Sequence, residues 1–240
     1  MNPLVLVHGF MGGSDQWSHQ APLGNGRELI CVDLPGFGKN AHQEPLHRIE
    51  NFADSVLEEL TQRGVRKFDL LGHSMGGMIV QEMVRKDPER VARLVLYGTG
   101  AKGVLPGRFE SIATSMERAR ADGAKTTARR ISATWFLHAD TAPSYPACAA
   151  IAEQSTLQAI LAGLKAMQGW TGEDYLPEIT AETLILWGDR DRAYLWPQIE
   201  KLWRTIPNSH LAVVPGCAHA VHMERPEIFN RLVGEFLSDE

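Results

Sequence analysis

The sequence predicts an α/β fold: a mostly parallel, doubly wound sheet with an all-helical segment inserted between two of its strands. Three observations carry this. Short, continuously apolar runs alternate with helix-period segments, as expected for parallel strands covered on both faces. The alternation stops between about Ala101 and Leu176, where only helical patterns occur. At one strand-to-helix junction a serine stands between glycines, Gly72-His73-Ser74-Met75-Gly76.

In chain order, strands are expected at Leu4–Val7, Glu28–Asp33, Phe68–Leu71, Leu94–Tyr97, Thr183–Trp187 and Leu211–Val214. Ile49, Phe52, Ala53, Val56, Leu57 and Leu60 repeat at helical spacing and stop near Gly64. Gly77 to Arg85 is a second helix, and Ile199, Leu202, Trp203 and Ile206 form a third, ending before Pro207. The last helix opens near Pro226, a residue suited to a first helical turn. Residues 1–100 and 177–240 therefore read as the core, and 101–176 as a helical cap. Within the cap, Phe109, Ile112, Ala113 and Met116 form one stripe, and Ala128, Ile131 and Trp135 another. Ser155-Thr156-Leu157-Gln158 has the form of a capping box opening a helix with Leu157, Ile160, Leu161, Leu164 and Met167 inward, closed by Gly169.

Composition narrows the function. The 240 residues are 44% hydrophobic and 22% charged, and the net charge of −5 argues against a nucleic-acid binder. Apolar runs fall short of the roughly 20 residues of a membrane span. Cys31, Cys148 and Cys217 have no metal-like spacing and read as reduced thiols. The first residues lack a basic leader and read as a strand, so the cytoplasm is the expected location. Neither a cofactor nor a metal is expected.

The glycine-flanked serine has the form of a nucleophile elbow, in which a strained backbone projects the hydroxyl out of the turn. Side chains two residues to either side would collide with the neighbouring strand and helix, and glycine removes them. A serine needs a base, an orienting acid and two donors for the developing oxyanion. After the fifth strand comes Gly188-Asp189-Arg190-Asp191; Asp191 is the acid, far enough along to reach a histidine, while Asp189 is a turn residue. After the sixth comes Gly216-Cys217-Ala218-His219-Ala220-Val221-His222; His219 is the base and His222 a structural histidine. His73 points away from Ser74, because neighbours in a tight turn diverge. The oxyanion donors are the amides of Met75, at a helix start, and of Phe10 in the Gly-rich loop after the first strand, with Met11 as second choice.

With His8-Gly9-Phe10, Asp33-Leu34-Pro35-Gly36-Phe37-Gly38, Gly72-His73-Ser74-Met75-Gly76-Gly77, Trp187-Gly188-Asp189-Arg190-Asp191 and Ala218-His219 in this order, the chain resembles an α/β-hydrolase-fold serine hydrolase with a helical cap. The resemblance spans nearly all of the chain outside the cap. It is specific for fold and catalytic apparatus and unspecific for substrate. It implies a serine esterase acting on a small-molecule carboxylic ester. Enol-lactonases, thioesterases, carbon–carbon hydrolases and a carrier-protein methyl esterase are alternatives, as is a hydrolase-like receptor. Ser74 argues against haloalkane dehalogenases and epoxide hydrolases, which use an aspartate. Carbon–carbon hydrolases rank lower, because Gly12-Gly13-Ser14-Asp15-Gln16-Trp17 departs from their first loop. The family usually opens with an antiparallel hairpin, whereas here the first motif strand starts at Leu4.

Specificity is expected to lie in the cap, with Trp135, Phe136, Met167 and Trp170 as pocket walls. Lys102, Arg108, Arg118, Arg120, Lys125, Arg129 and Arg130 outnumber Glu110, Glu117 and Asp122. That excess marks either a solvated face or a landing site for an anionic substrate or an acidic carrier protein.

Overall fold

The computed structural model describes residues 1–107 and 110–238. Six strands, β1 (Leu4–Val7), β2 (Leu29–Cys31), β3 (Phe68–His73), β4 (Val91–Tyr97), β5 (Glu182–Gly188) and β6 (Ser209–Val214), form one sheet in the order β2-β1-β3-β4-β5-β6. All five pairings are parallel. The strands are apolar runs because both faces are covered: β1 and β3 are buried along their whole length.

Helices α1 (Ile49–Gln62), α2 (Met75–Lys86), α6 (Trp196–Thr205), α7 (Val221–Glu224) and α8 (Pro226–Leu237) belong to the core. Pro226 occupies the first turn of α8. One sheet face packs Val5, Val7, Leu70, Leu94 and Leu96 against α1 and α2; the other packs Leu4, Leu6, Leu71, Val95 and Tyr97 against Phe229 and Val233 of α8. Trp203, expected inward on α6, is instead 37% exposed.

Between β4 and β5 lie α3 (Ile112–Ala133), α4 (Tyr145–Ala152) and α5 (Leu157–Gln168), and no strand among the described residues. The two predicted stripes fall on the two helical halves of α3, which is broken at Gly123 with a φ of 78°, and Trp135 lies just past its end. Its first stripe is Ile112, Ser115 and Ala119; Ala113 is exposed. Phe109 and Arg108 lie outside the described residues. The cap of α5 is Thr156, one residue later than expected: its hydroxyl accepts from the Ala159 amide at 3.1 Å, while Ser155 is buried. The two ends of the insertion meet at a neck. The Gly172 amide donates to Ala101 at 2.7 Å, and the Gly103 amide to Trp170 at 3.0 Å.

Candidate active site

Ser74 follows β3 directly, with φ 55° and ψ −117°. A left-handed backbone at a residue other than glycine costs on the order of 1–3 kcal/mol and persists only where its surroundings enforce it. The flanking glycines explain how it is enforced. A Cβ at Gly72 would lie 2.4 Å from the Gly76 carbonyl oxygen, and one at Gly76 would lie 2.3 Å from that of Val7. β1, β3 and α2 therefore approach closely enough to hold the turn. The Ser74 amide donates to Tyr97 at 3.0 Å, and Thr99 Oγ1 donates to the Ser74 carbonyl at 2.8 Å.

His219 and Asp191 come from the loops after β6 and β5, at the same carboxyl edge of the sheet. His219 Nδ1 donates to Asp191 Oδ2 at 2.8 Å, and both side chains are buried. Asp191 Oδ1 accepts from the amides of Ala193 at 2.7 Å and Tyr194 at 3.1 Å, so the carboxylate is held from two sides. Asp189 makes a different contact: its Oδ1 accepts from the Gly216 amide at 2.7 Å, a turn bond. The pairing fixes the proton of His219 on Nδ1 and leaves Nε2 with a free lone pair.

The loop carrying His219 is held at three successive residues. The Ala218 amide donates to Glu224, the His219 carbonyl accepts from Tyr97 Oη at 2.8 Å and His73 Nε2 at 3.1 Å, and the Ala220 amide donates to Trp135. His73 and His222 are buried; desolvation, then the neighbouring His219, holds both below the ordinary histidine range, His222 at about 3. They stay neutral beside His219.

Phe10 stands in the loop after β1. Leu34 donates its amide to His8 Nε2 at 3.0 Å, so His8 Nδ1 carries the proton and donates to the Gly9 carbonyl at 2.8 Å. That carbonyl also accepts from the Gly12 amide, and Met11 adopts a φ of 54°. Burial lowers the His8 pKa to about 4, which keeps this arrangement in place at neutral pH. Among the described residues, the Phe10 and Met75 amides donate to no main-chain acceptor.

Ser74 and His219 line one small cavity with Phe10, Gly103, Leu105, Ile131, Trp135, Met167, Ala193 and Tyr194. Its volume is about 30 Å³, room for little more than a water or two. None of these side chains carries a fixed charge. Of the four expected walls, Trp135 and Met167 line this cavity, and Phe136 and Trp170 are not among its lining residues. Phe136 is fully buried with Ala142, Cys148, Ala220 and Met223, in a cluster that Trp135 also packs against. Trp170 turns toward α2, where its Nε1 donates to Glu82 Oε1 at 2.8 Å. Sequence reasoning missed Gly103, Leu105, Ile131, Ala193 and Tyr194 as lining residues. The ring of Tyr194 stacks on His219 at 5.6 Å, and its only sequence signal is its place three residues after Asp191.

A family model described as alpha/beta hydrolase fold matches residues 2–226. A 2-hydroxy-6-oxononadienedioate/2-hydroxy-6-oxononatrienedioate hydrolase of Pseudomonas putida is 28% identical over 98% of this chain and 87% of its own. Among solved structures, a thermophilic esterase from Thermogutta terrifontis is 28% identical with a TM-score of 0.89, covering 99% of this chain and 89% of that one. The enol-lactonase from Burkholderia xenovorans shares the fold, with 21% identity and a TM-score of 0.86 over 99% of this chain and 92% of that one.

Proposed function

The chain belongs to the alpha/beta hydrolase fold family, and on that premise we propose that it cleaves a small, uncharged, largely apolar carboxylic ester through a serine acyl-enzyme. The observation that carries the proposal is the His219–Asp191 bond at 2.8 Å in a loop that shares one cavity with the strained Ser74.

In this mechanism Ser74 Oγ attacks the ester carbonyl while His219 Nε2 takes its proton. Asp191 holds the imidazole in the required tautomer and stabilises the imidazolium. The Phe10 and Met75 amides receive the oxyanion, Met75 with help from the positive end of α2. His219 then protonates the departing alcohol, and water repeats the sequence to release the acid. Residues 101–176 act as the cap that sets acyl size.

Carbon–carbon hydrolysis is the second reading, favoured by the name of the Pseudomonas putida relative. That relative's named substrate is a dioate, whose two carboxylates call for cations. The uncharged lining of this cavity supports a neutral ester instead. Lactones and thioesters require the same groups as esters. A carrier-protein methyl ester has weaker support, because the cap's basic residues are largely paired within the molecule. Lys102 meets Glu173, Arg118 and Arg130 meet Glu110, and Lys125 and Arg129 meet Glu153. Among the described residues, no helix is long and apolar enough to cross a membrane.

The test is labelling by a fluorophosphonate, followed by a panel of p-nitrophenyl, methyl, lactone, thioester and dienedioate substrates. Labelling at Ser74 with turnover of short neutral esters is expected. Absence of labelling overturns the mechanism, and preference for the dienedioate overturns the substrate class.

A further inference from the structure

The helical insertion is fastened to the loop of His219 by an apolar cluster and by hydrogen bonds on both sides of the histidine. Phe136, Ala142 and Cys148 from the insertion pack with Ala220 and Met223 in a small apolar cluster separate from the two faces of the sheet. Ser144 Oγ donates to the Met223 carbonyl at 3.0 Å. The Ala220 amide donates to the Trp135 carbonyl at 2.9 Å. Glu224 completes the attachment: one carboxylate oxygen accepts the Leu137 amide and the other the Ala218 amide, each at 2.7 Å. These bonds flank His219 at residues 218 and 220, and both lead to residues 135–137. The core holds the same loop by other atoms, the His219 carbonyl and the ring Nδ1.

We propose that Glu224 is a positioning residue that makes the placement of His219 depend on how the insertion is seated, so that the site rejects bulky acyl groups through turnover rather than binding. The proposal rests on the serine-hydrolase reading above. A cavity of about 30 Å³ cannot take a long acyl chain unless its walls yield. Trp135 is the wall next to the base, its ring centroid 6.4 Å from that of His219. An acyl group that displaces Trp135 also displaces the main chain of residues 135–137. The Ala218 and Ala220 amides follow, through Glu224 and the Trp135 carbonyl, and His219 lies between them. A displacement of about 1 Å at a catalytic group costs on the order of 10²-fold in rate. The carboxylate offers each amide an accepting oxygen of its own. Glutamine would keep one bond and set an N–H against the other amide.

Rates on p-nitrophenyl acetate, butyrate and hexanoate test this with the wild type, Glu224→Gln and Phe136→Leu. In the wild type, kcat is expected to fall steeply with acyl length while KM changes little. Both variants should lose about tenfold or more in kcat on acetate, and their kcat should become nearly independent of acyl length. Phe136→Leu keeps an apolar peg in the cluster and serves if Glu224→Gln does not fold. Variants that keep the wild-type dependence of kcat on acyl length overturn the proposal, whatever their absolute rates. So does a wild type whose length preference lies in KM alone. Fluorophosphonate labelling of the wild type separates the two levels. Without labelling at Ser74 the serine-hydrolase reading itself fails; with labelling and an unaltered profile, only the role of Glu224 does.

Discussion

Tyr97 donates its phenolic proton to the main-chain carbonyl of His219 at 2.8 Å, from the last residue of β4 to the loop after β6. Because that proton is committed to the carbonyl, the His222 side chain must donate from Nδ1 to Tyr97 Oη, at 3.0 Å. The His222 amide donates to the same oxygen at 3.2 Å. One hydroxyl thus ties the main chain of His219 to His222, the residue that the sequence read as structural.

Tyr97→Phe should therefore act on two quantities. It leaves two His222 donors buried without their acceptor, which costs about 1–3 kcal/mol each when unrelieved. His73 still holds the His219 carbonyl, so the fall in kcat should be modest, about tenfold, with KM little changed. Urea unfolding and steady-state rates on one ester measure both. An unchanged kcat would show that His73 alone suffices to hold the loop.

Ser74→Ala should retain the fold and lose on the order of 10³-fold or more in rate, since the members of such a unit act together. Asp191→Asn should lose a comparable factor, because the amide favours the wrong tautomer of His219. Asp189→Asn should spare turnover, its contact being a turn bond to Gly216. Activity that survives Asp191→Asn and disappears in Asp189→Asn would reverse the assignment.

Met167 and Trp170 lie three residues apart at the end of α5 and should respond differently. Met167→Ala widens the cavity wall and should raise kcat/KM for longer acyl chains relative to acetate. Trp170→Phe removes the donor to Glu82 and should cost about 1–3 kcal/mol of stability with no change in acyl preference. The comparison needs only a chain-length series and two melting curves.

Acid should unfold the protein through its buried histidines. Burial sets His8 at about 4 and His222 at about 3, while the unfolded chain titrates near 6.5. Between pH 6.5 and about 4.5 the unfolded state binds more protons than the native state, so stability falls as pH is lowered. Each histidine contributes about 1.4 kcal/mol per pH unit. Unfolding free energies at four pH values across this window should give a slope of two protons or more. His222→Gln should remove one of them, and a wild-type slope below one proton would contradict the assigned burial.

What could be read in the sequence was what local sterics decide. Gly72 and Gly76 announce the close approach of β1, β3 and α2 to Ser74 because the colliding atoms lie within one turn or one adjacent strand. The spacing from Asp189 to Asp191 separates a turn residue from one that can reach across to the next loop. The strands were legible as apolar runs, but their ends were not: β3 runs on to His73 and β2 shrinks to Leu29–Cys31, because pairing with neighbours sets those limits. The walls of the cavity were only half legible. Trp135 continues the stripe of Ala128 and Ile131, but both it and Phe136 lie past the end of α3 at Ala133, and nothing in their order says which faces Ser74. The choice between a solvated face and a landing site was not legible for a related reason. Glu153 and Glu173 lie outside the basic window yet fold back to meet Arg129, Lys125 and Lys102.

The neck has a consequence for how this chain can vary. The Ala101 carbonyl and the Gly172 amide are joined by a single bond of 2.7 Å, so everything between them is a detour that departs from and returns to one point. The hydrogen bonds of β4 with β5 lie outside that detour and are made whatever its length. Residues 102–171 can be lengthened, shortened or exchanged for another excursion while the sheet below keeps its register. Ser74 and Asp191 can thus be inherited unchanged beneath a succession of different roofs, while each new roof must supply its own anchors for the amides on either side of His219.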